Sequence, residues 1–150
     1  MYSKILVPID GSEPSTLALV EAIKLAHALD SSICVIHVVD VRPLIASEAT
    51  AASYDILFDM LRRDGAELLR NAAATIKDAG IKVETILQEA PDGQVGEAVF
   101  RQAREYQAEL IICGTHGRRG VRRMLMGSDA EYIVRQSPVP VLLVRQPDAA

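Results

Sequence analysis

Tryptophan is absent from the chain, and only two phenylalanines and four tyrosines stand among its 150 residues. Single-stranded nucleic acids are usually held by stacking bases on aromatic faces, so this scarcity argues against such a ligand. A formal charge of −4 argues the same way, because a net negative field does not draw in nucleic acid or an anionic membrane. No apolar run approaches the roughly 20 residues of a membrane span, and the opening "MYSKILVPIDGSE" has no signal-peptide apolar region. The expectation is a soluble, cytoplasmic chain without membrane insertion. There are only two cysteines, Cys34 and Cys113, each in or ending an apolar run and without metal-type spacing. They read as buried thiols in a reducing compartment. No repeat, low-complexity tract or long charge run interrupts a composition that is 49% hydrophobic. That favours one globular domain over 1–150.

What is present is an alternation. "KILVPI" (4–9) and "SICVIHVVD" (32–40) read as buried strands, as do "ELIIC" (109–113) and "VPVLLV" (139–144). "IKVETIL" (81–87) alternates apolar and polar residues, as a half-exposed or edge strand does. After the first strand, Ser12 offers a helix N-cap and Pro14 falls in the first turn. Leu17, Val20, Ile23, Leu25, Ala26 and Leu29 then follow helical spacing. Further helices are expected over 53–79, with Gly80 just past its end, over 93–106, and over 128–136. In the last, Ser128 and Glu131 fit a capping box. The segment "VRPLIASEATAAS" (41–53) is the one long connection and a candidate lid or partner surface.

Strands alternating with helices, most strands continuously apolar, predict a parallel α/β sheet covered on both faces. Ligands of such sheets bind beyond the carboxyl ends of the strands. The residues to inspect are Asp10 and Gly11, Val39 and Asp40, Glu89 and Ala90, and Gly114 to Gly120. The last group opens "GTHGRRGVRRMLMGSDAE", which follows "ELIIC" with glycines and paired arginines. Glycine lets backbone N–H groups approach a ligand unhindered, successive amides form anion nests, and a helix start adds unpaired N–H groups. A phosphate chain fits between "GTHG" and "GS".

The spacing Gly114, Gly117, Gly127, Ser128 resembles the glycine signature of the ATP-binding branch of the universal stress protein family. "KILVPIDGSE", "VIHVVD" and "GSDAEYIVRQSPVPVLLVR" resemble the family's first strand, second strand and C-terminal end, so the likeness spans essentially the whole chain. It implies a Rossmann-like open sheet of five parallel strands in order 3-2-1-4-5 that binds ATP, with AMP or ADP as alternatives, together with Mg²⁺. Asp10 would bond the ribose, with Pro8 lining the site and Val38 approaching adenine. Gly114, Gly117, Gly127 and Ser128 would hold the phosphates, with His116 and Arg118 at the rim. In that strand order Cys34 and Cys113 lie two strands apart, about twice 4.8 Å, too far for a disulfide.

Asp129 departs from an anion-binding pattern. A carboxylate beside phosphates would help hold Mg²⁺; as an acid in the first turn it also complements the helix dipole, which is the plainer reading. Asp10 has a bland alternative as well, an Asx-turn or local cap. Walker A spacing is missing and His116 is the loop's one histidine, so at most slow hydrolysis is expected and no catalytic residue is assigned. A receiver-type phosphotransfer domain would need an acidic pair after strand one, an acceptor Asp after strand three and a Lys near strand five. The chain offers Asp10-Gly11, Gln88-Glu89 and Arg145. Arg118, Arg119, Arg122 and Arg123 form only a local basic patch, so nucleic acid is disfavoured. An apolar final strand at a sheet edge needs pairing, and the family resemblance implies a homodimer through it, over 141–144. The functional expectation is a nucleotide-dependent switch acting on a protein partner in a stress response. The alternative is a dimeric interaction protein whose site is vestigial or holds AMP.

Overall fold

The computed structural model describes residues 1–46, 50–116 and 126–147. Its elements, in chain order, are β1 (Lys4–Pro8), α1 (Glu13–Leu29), β2 (Ser32–Asp40), α2 (Arg42–Ile45), α3 (Ala51–Asp78) and β3 (Val83–Ala90). α4 (Val95–Tyr106), β4 (Leu110–Gly114), α5 (Ser128–Gln136) and β5 (Val141–Val144) complete the set. The five strands form one sheet in order β3-β2-β1-β4-β5, and each neighbouring pair is parallel. The fold expectation holds.

Period-two geometry sorts the apolar strand residues onto two faces. Ile5, Val7, Ile9, Ile33, Val35 and Ile112 meet α1 and α3 through Ala18, Ala22, Ala26, Leu69, Ala72 and Ile76. Leu6, Cys34, Ile36, Val38 and Ile111 meet α4 and α5 through Ala98, Val99, Ala103, Tyr106 and Ile133. Each fully buried branched side chain contributes about 1.5–3 kcal/mol, so both layers hold the sheet firmly beneath its carboxyl edge.

Several local expectations change. The buried face of α1 is a small-residue stripe, Ser15, Ala18, Ala22 and Ala26, while Val20 and Leu29 are exposed. Small side chains let the helix lie close on the sheet, which outweighs the larger residues' apolarity. The Ser12 cap is present, its Oγ accepting from the Ser15 N–H, and Gly80 takes a positive φ of 78° beyond α3. The capping box at Ser128 is not formed. Gly127 is the N-cap in an extended conformation, without a side-chain cap bond, so Ser128 is already helical, and Glu131 pairs with Arg135 instead. The long connection 41–53 is largely helical: α2 occupies Arg42–Ile45 and Thr50 caps α3, which begins at Ala51. Residues 47–49 lie outside the described residues. β3 runs on to Ala90 rather than leaving at Gln88-Glu89. It is an edge strand beyond β2, so its exit is not beside Asp10, and a receiver-type acidic cluster has no place to form.

Candidate functional site

The chain turns from one half of the sheet to the other between β1 and β4. Loops leaving adjacent strands in opposite directions open a crevice there. A cavity of about 530 Å³ occupies this crevice, lined by the ends of β1, β2 and β4, by α2 and by the start of α5. Of the expected site residues, Pro8, Asp10, Val38, Gly114, His116, Gly127 and Ser128 all line it. Gly117 and Arg118 lie outside the described residues, as do Arg119, Arg122 and Arg123.

Local chemistry positions each group. Asp10 Oδ1 accepts the Ser12 N–H at 2.9 Å, so the Asx-turn is real, and the same turn places Asp10 at the cavity. His37, whose ring is buried in β2, bonds the Ile9 carbonyl through Nδ1 at 2.8 Å; a carbonyl only accepts, so the proton is on Nδ1. Gly114 is a packing requirement. A Cβ there would lie 2.8 Å from the Pro14 carbonyl carbon, so the end of β4 presses directly on the start of α1. Thr115 joins the pieces beyond it. Its N–H donates to Val144 O at 3.1 Å and its carbonyl accepts from the Gly127 N–H at 2.8 Å. The Gly127 amide is therefore committed to the frame, and the helix-start amides left without an intrahelical partner begin at Ser128.

His116 hydrogen-bonds Thr115 Oγ1 through Nδ1 at 3.0 Å. Buried polar atoms are normally satisfied, whereas the buried Nε2 of this ring has no partner among the described residues.

Three charged residues meet at the mouth. The Arg42 guanidinium grips Asp40 with Nε on both carboxylate oxygens, at 2.9 and 3.0 Å, and Nη2 on Oδ2 at 2.7 Å. That hydrogen bonding raises the Arg42 pKa, against a smaller lowering by burial. Asp129 is half-buried, and burial is the main influence raising its carboxyl above the ordinary range. Arg42 opposes that rise, Asp40 adds to it, the Gly96 N–H hydrogen bond opposes it, and Asp10 adds to it. The acid at the first turn of α5 thus lies near the start of a different helix, α4, against which α5 packs. Gly96 permits the approach, since a Cβ there would lie 2.8 Å from Tyr132 Cδ1.

Among the described lining residues, Asp10, Asp40, Asp64 and Asp129 are carboxylates and Arg42 is the one guanidinium. No cluster of three His, Cys, Asp or Glu able to hold a metal ion occurs among them. Cys113 also lines the cavity, but burial pushes its thiol up to about 12, which rules out a thiolate nucleophile near neutral pH. Both cysteines are free, with β1 between their strands, as the layout predicts.

Sequence reasoning overlooked Arg42, Thr115, Gly96, and the α3 residues Leu61 and Asp64, which also line the cavity. Arg42 had a readable signal in Asp40-Val41-Arg42 directly after β2, at the binding edge. Thr115 and Gly96 act through contacts far apart in sequence and had none.

A family profile described as "Universal stress protein family" matches residues 1–145. Universal stress protein MJ0531 of Methanocaldococcus jannaschii is 33% identical over 147 residues, covering 98% of this chain and 84% of that protein. The solved structure of hypothetical protein MJ0577, described as a structure-based assignment of biochemical function, superposes with a TM-score of 0.85. It is 27% identical and the match covers 99% of both chains. A universal stress protein solved in complex with cAMP is similar in fold, with a TM-score of 0.65 at 23% identity over 96% of this chain and 97% of that one.

Proposed function

This chain belongs to the universal stress protein family, and from that premise we propose that it binds an adenine nucleotide, ATP first, at the carboxyl edge of its sheet. The observation that carries this reading is the cavity at the β1–β4 crossover, which gathers every described residue that the glycine signature and its flanking strands single out. Its volume falls within the range typical of small-ligand sites. Val38 and Pro8 supply an apolar slot for a base, Asp10 a carboxylate for ribose hydroxyls, and Ser128 with the α5 amides a seat for phosphate. His116 Nε2 gains a partner. Mg²⁺ would enter with the phosphate oxygens, which it favours as ligands, and any hydrolysis would be slow.

Occupancy is the signal, read by a protein partner in a stress response. The half-exposed edge strand β5 is the surface through which two copies pair. A monomer mass in sedimentation at micromolar concentration would remove that part of the reading.

The test of the site is calorimetric titration of nucleotide-stripped protein with ATP, AMP and GTP in Mg²⁺. We expect ATP to bind, AMP to bind more weakly, and Gly127→Val to abolish the phosphate-dependent part. Gly127 has an ordinary extended conformation, φ −60° and ψ 151°, so valine is tolerated by the backbone and loss of binding reports on the site. No binding of any nucleotide, or equal binding of ATP and AMP, would shift attention to the dimer surface.

A further inference from the structure

Resting on the nucleotide reading, we infer that Asp129 is a specificity-determining residue: its carboxylate at the first turn of α5 sets how much phosphate charge the cavity accepts. The α5 start is where an anion gains most from free N–H groups and the helix dipole, and Asp129 places a negative charge at that same turn. The first turn of α5 packs against α4, and the nearby Gly96 N–H is one of the influences that favour the charged carboxyl. It lines the cavity with Ser128 on one side and Ala130 on the other, so a phosphate seated at Ser128 is its direct neighbour.

Among the described residues, its surroundings do not cancel its charge. From α2 it faces Arg42, but that guanidinium is already engaged by Asp40 through three contacts of 2.7 to 3.0 Å. From the ends of β2 and β1 it faces Asp40 and Asp10, both of like sign, and from α4 only the neutral Gly96 N–H. A carboxylate in such company already resists ionisation, and a phosphate brought alongside increases that resistance. Each further negative charge on the ligand therefore adds a repulsion that offsets part of what the α5 amides contribute, and a proton on Asp129 relieves the conflict.

The experiment is a charge ladder. Affinities of adenosine, AMP, ADP and ATP are measured calorimetrically for the wild-type chain, Asp129→Asn and Asp129→Glu, in chelator and again in Mg²⁺. Asparagine keeps the size and an accepting oxygen but loses the charge; glutamate keeps the charge. In chelator we expect Asp129→Asn to bind ATP on the order of tenfold more tightly and AMP about threefold, with adenosine unchanged, as one like charge at intermediate dielectric implies. Asp129→Glu should follow the wild-type ladder. The ATP advantage of Asp129→Asn should shrink as pH falls through the raised range of Asp129.

An advantage equal for adenosine and ATP would overturn the inference, since the residue would then act through packing. Weaker ATP binding by Asp129→Asn in Mg²⁺ would overturn it too, making Asp129 a metal-holding group. If ATP binds more tightly than AMP and the ladder is the same in wild type and Asp129→Asn, the nucleotide reading stands and this inference falls. If no ligand binds either protein at any pH, the nucleotide reading itself falls and takes this one with it.

Discussion

The two walls of the cavity are built to different standards of completion. On the β1–β2 side, Asp10 accepts from Ser12, His37 bonds the Ile9 carbonyl, and Asp40 is clasped by Arg42. On the opposite side, His116 carries a buried nitrogen with no partner among the described residues and Asp129 a carboxyl whose charged form is disfavoured. The first wall is satisfied by its own chain and acts as a frame. The second holds polar groups whose best partners are not supplied by the described residues.

The largest way to break this contrast is at the point where the walls join. Gly114→Ala would set a Cβ 2.8 Å from the Pro14 carbonyl carbon and 2.9 Å from its oxygen, and backbone cannot swing aside as a side chain does. A loss of about 1–3 kcal/mol is expected, of the size typical for overpacking, read as a lower urea midpoint with an unchanged slope.

A smaller effect is expected from the frame's ion pair. Arg42→Ala removes the clasp on Asp40, but the pair is partly solvent-exposed, so the cost should be about 1 kcal/mol or less. The loss should be accompanied by a further rise of the Asp129 pKa, followed by carboxyl NMR. An unchanged Asp129 titration would show that the two walls are electrostatically independent.

The smallest signal is in the pH dependence of stability. Because the folded state raises the Asp129 pKa, the folded chain keeps a proton that the unfolded chain has released between the ordinary carboxylate value and the raised one. Stability from this group therefore falls as pH rises through that window. Asp129→Asn should be slightly more stable than wild type at neutral pH, with the difference vanishing on acidification. A constant difference across pH 3 to 8 in thermal melts would contradict the assignment.

The legible parts of the molecule were those governed by local rules. Strand order came with the family resemblance, and strand positions with the continuous apolar runs; a valine-rich stretch such as Ser32–Asp40 has no other stable reading when both its faces are covered. Asp10 could be placed because it follows β1 at the binding edge, where topology fixes a residue's neighbourhood, whereas Pro8 and Val38 came only with the family resemblance. The Ser128 cap failed by one position because the chain enters α5 from a bond between Gly127 and Thr115, a contact that spacing does not encode. The α1 stripe was misjudged because hydrophobicity ranks leucine above alanine, whereas close approach of a helix to a sheet selects small side chains. Arg42 was obscured by treating 41–53 as a connection, although a short helix there brings its guanidinium back onto the β2 exit.

Thr115 gives the molecule a shared hinge pin. One face of its peptide group is fastened to Val144 on the outermost strand and the next to Gly127 at the mouth of the cavity. Edge and mouth are consequently not separate properties of the fold. A subunit that tugs on β5, or a ligand that tilts the start of α5, must either carry Thr115 with it or break one of two hydrogen bonds. Edge and mouth are joined over the length of a single residue.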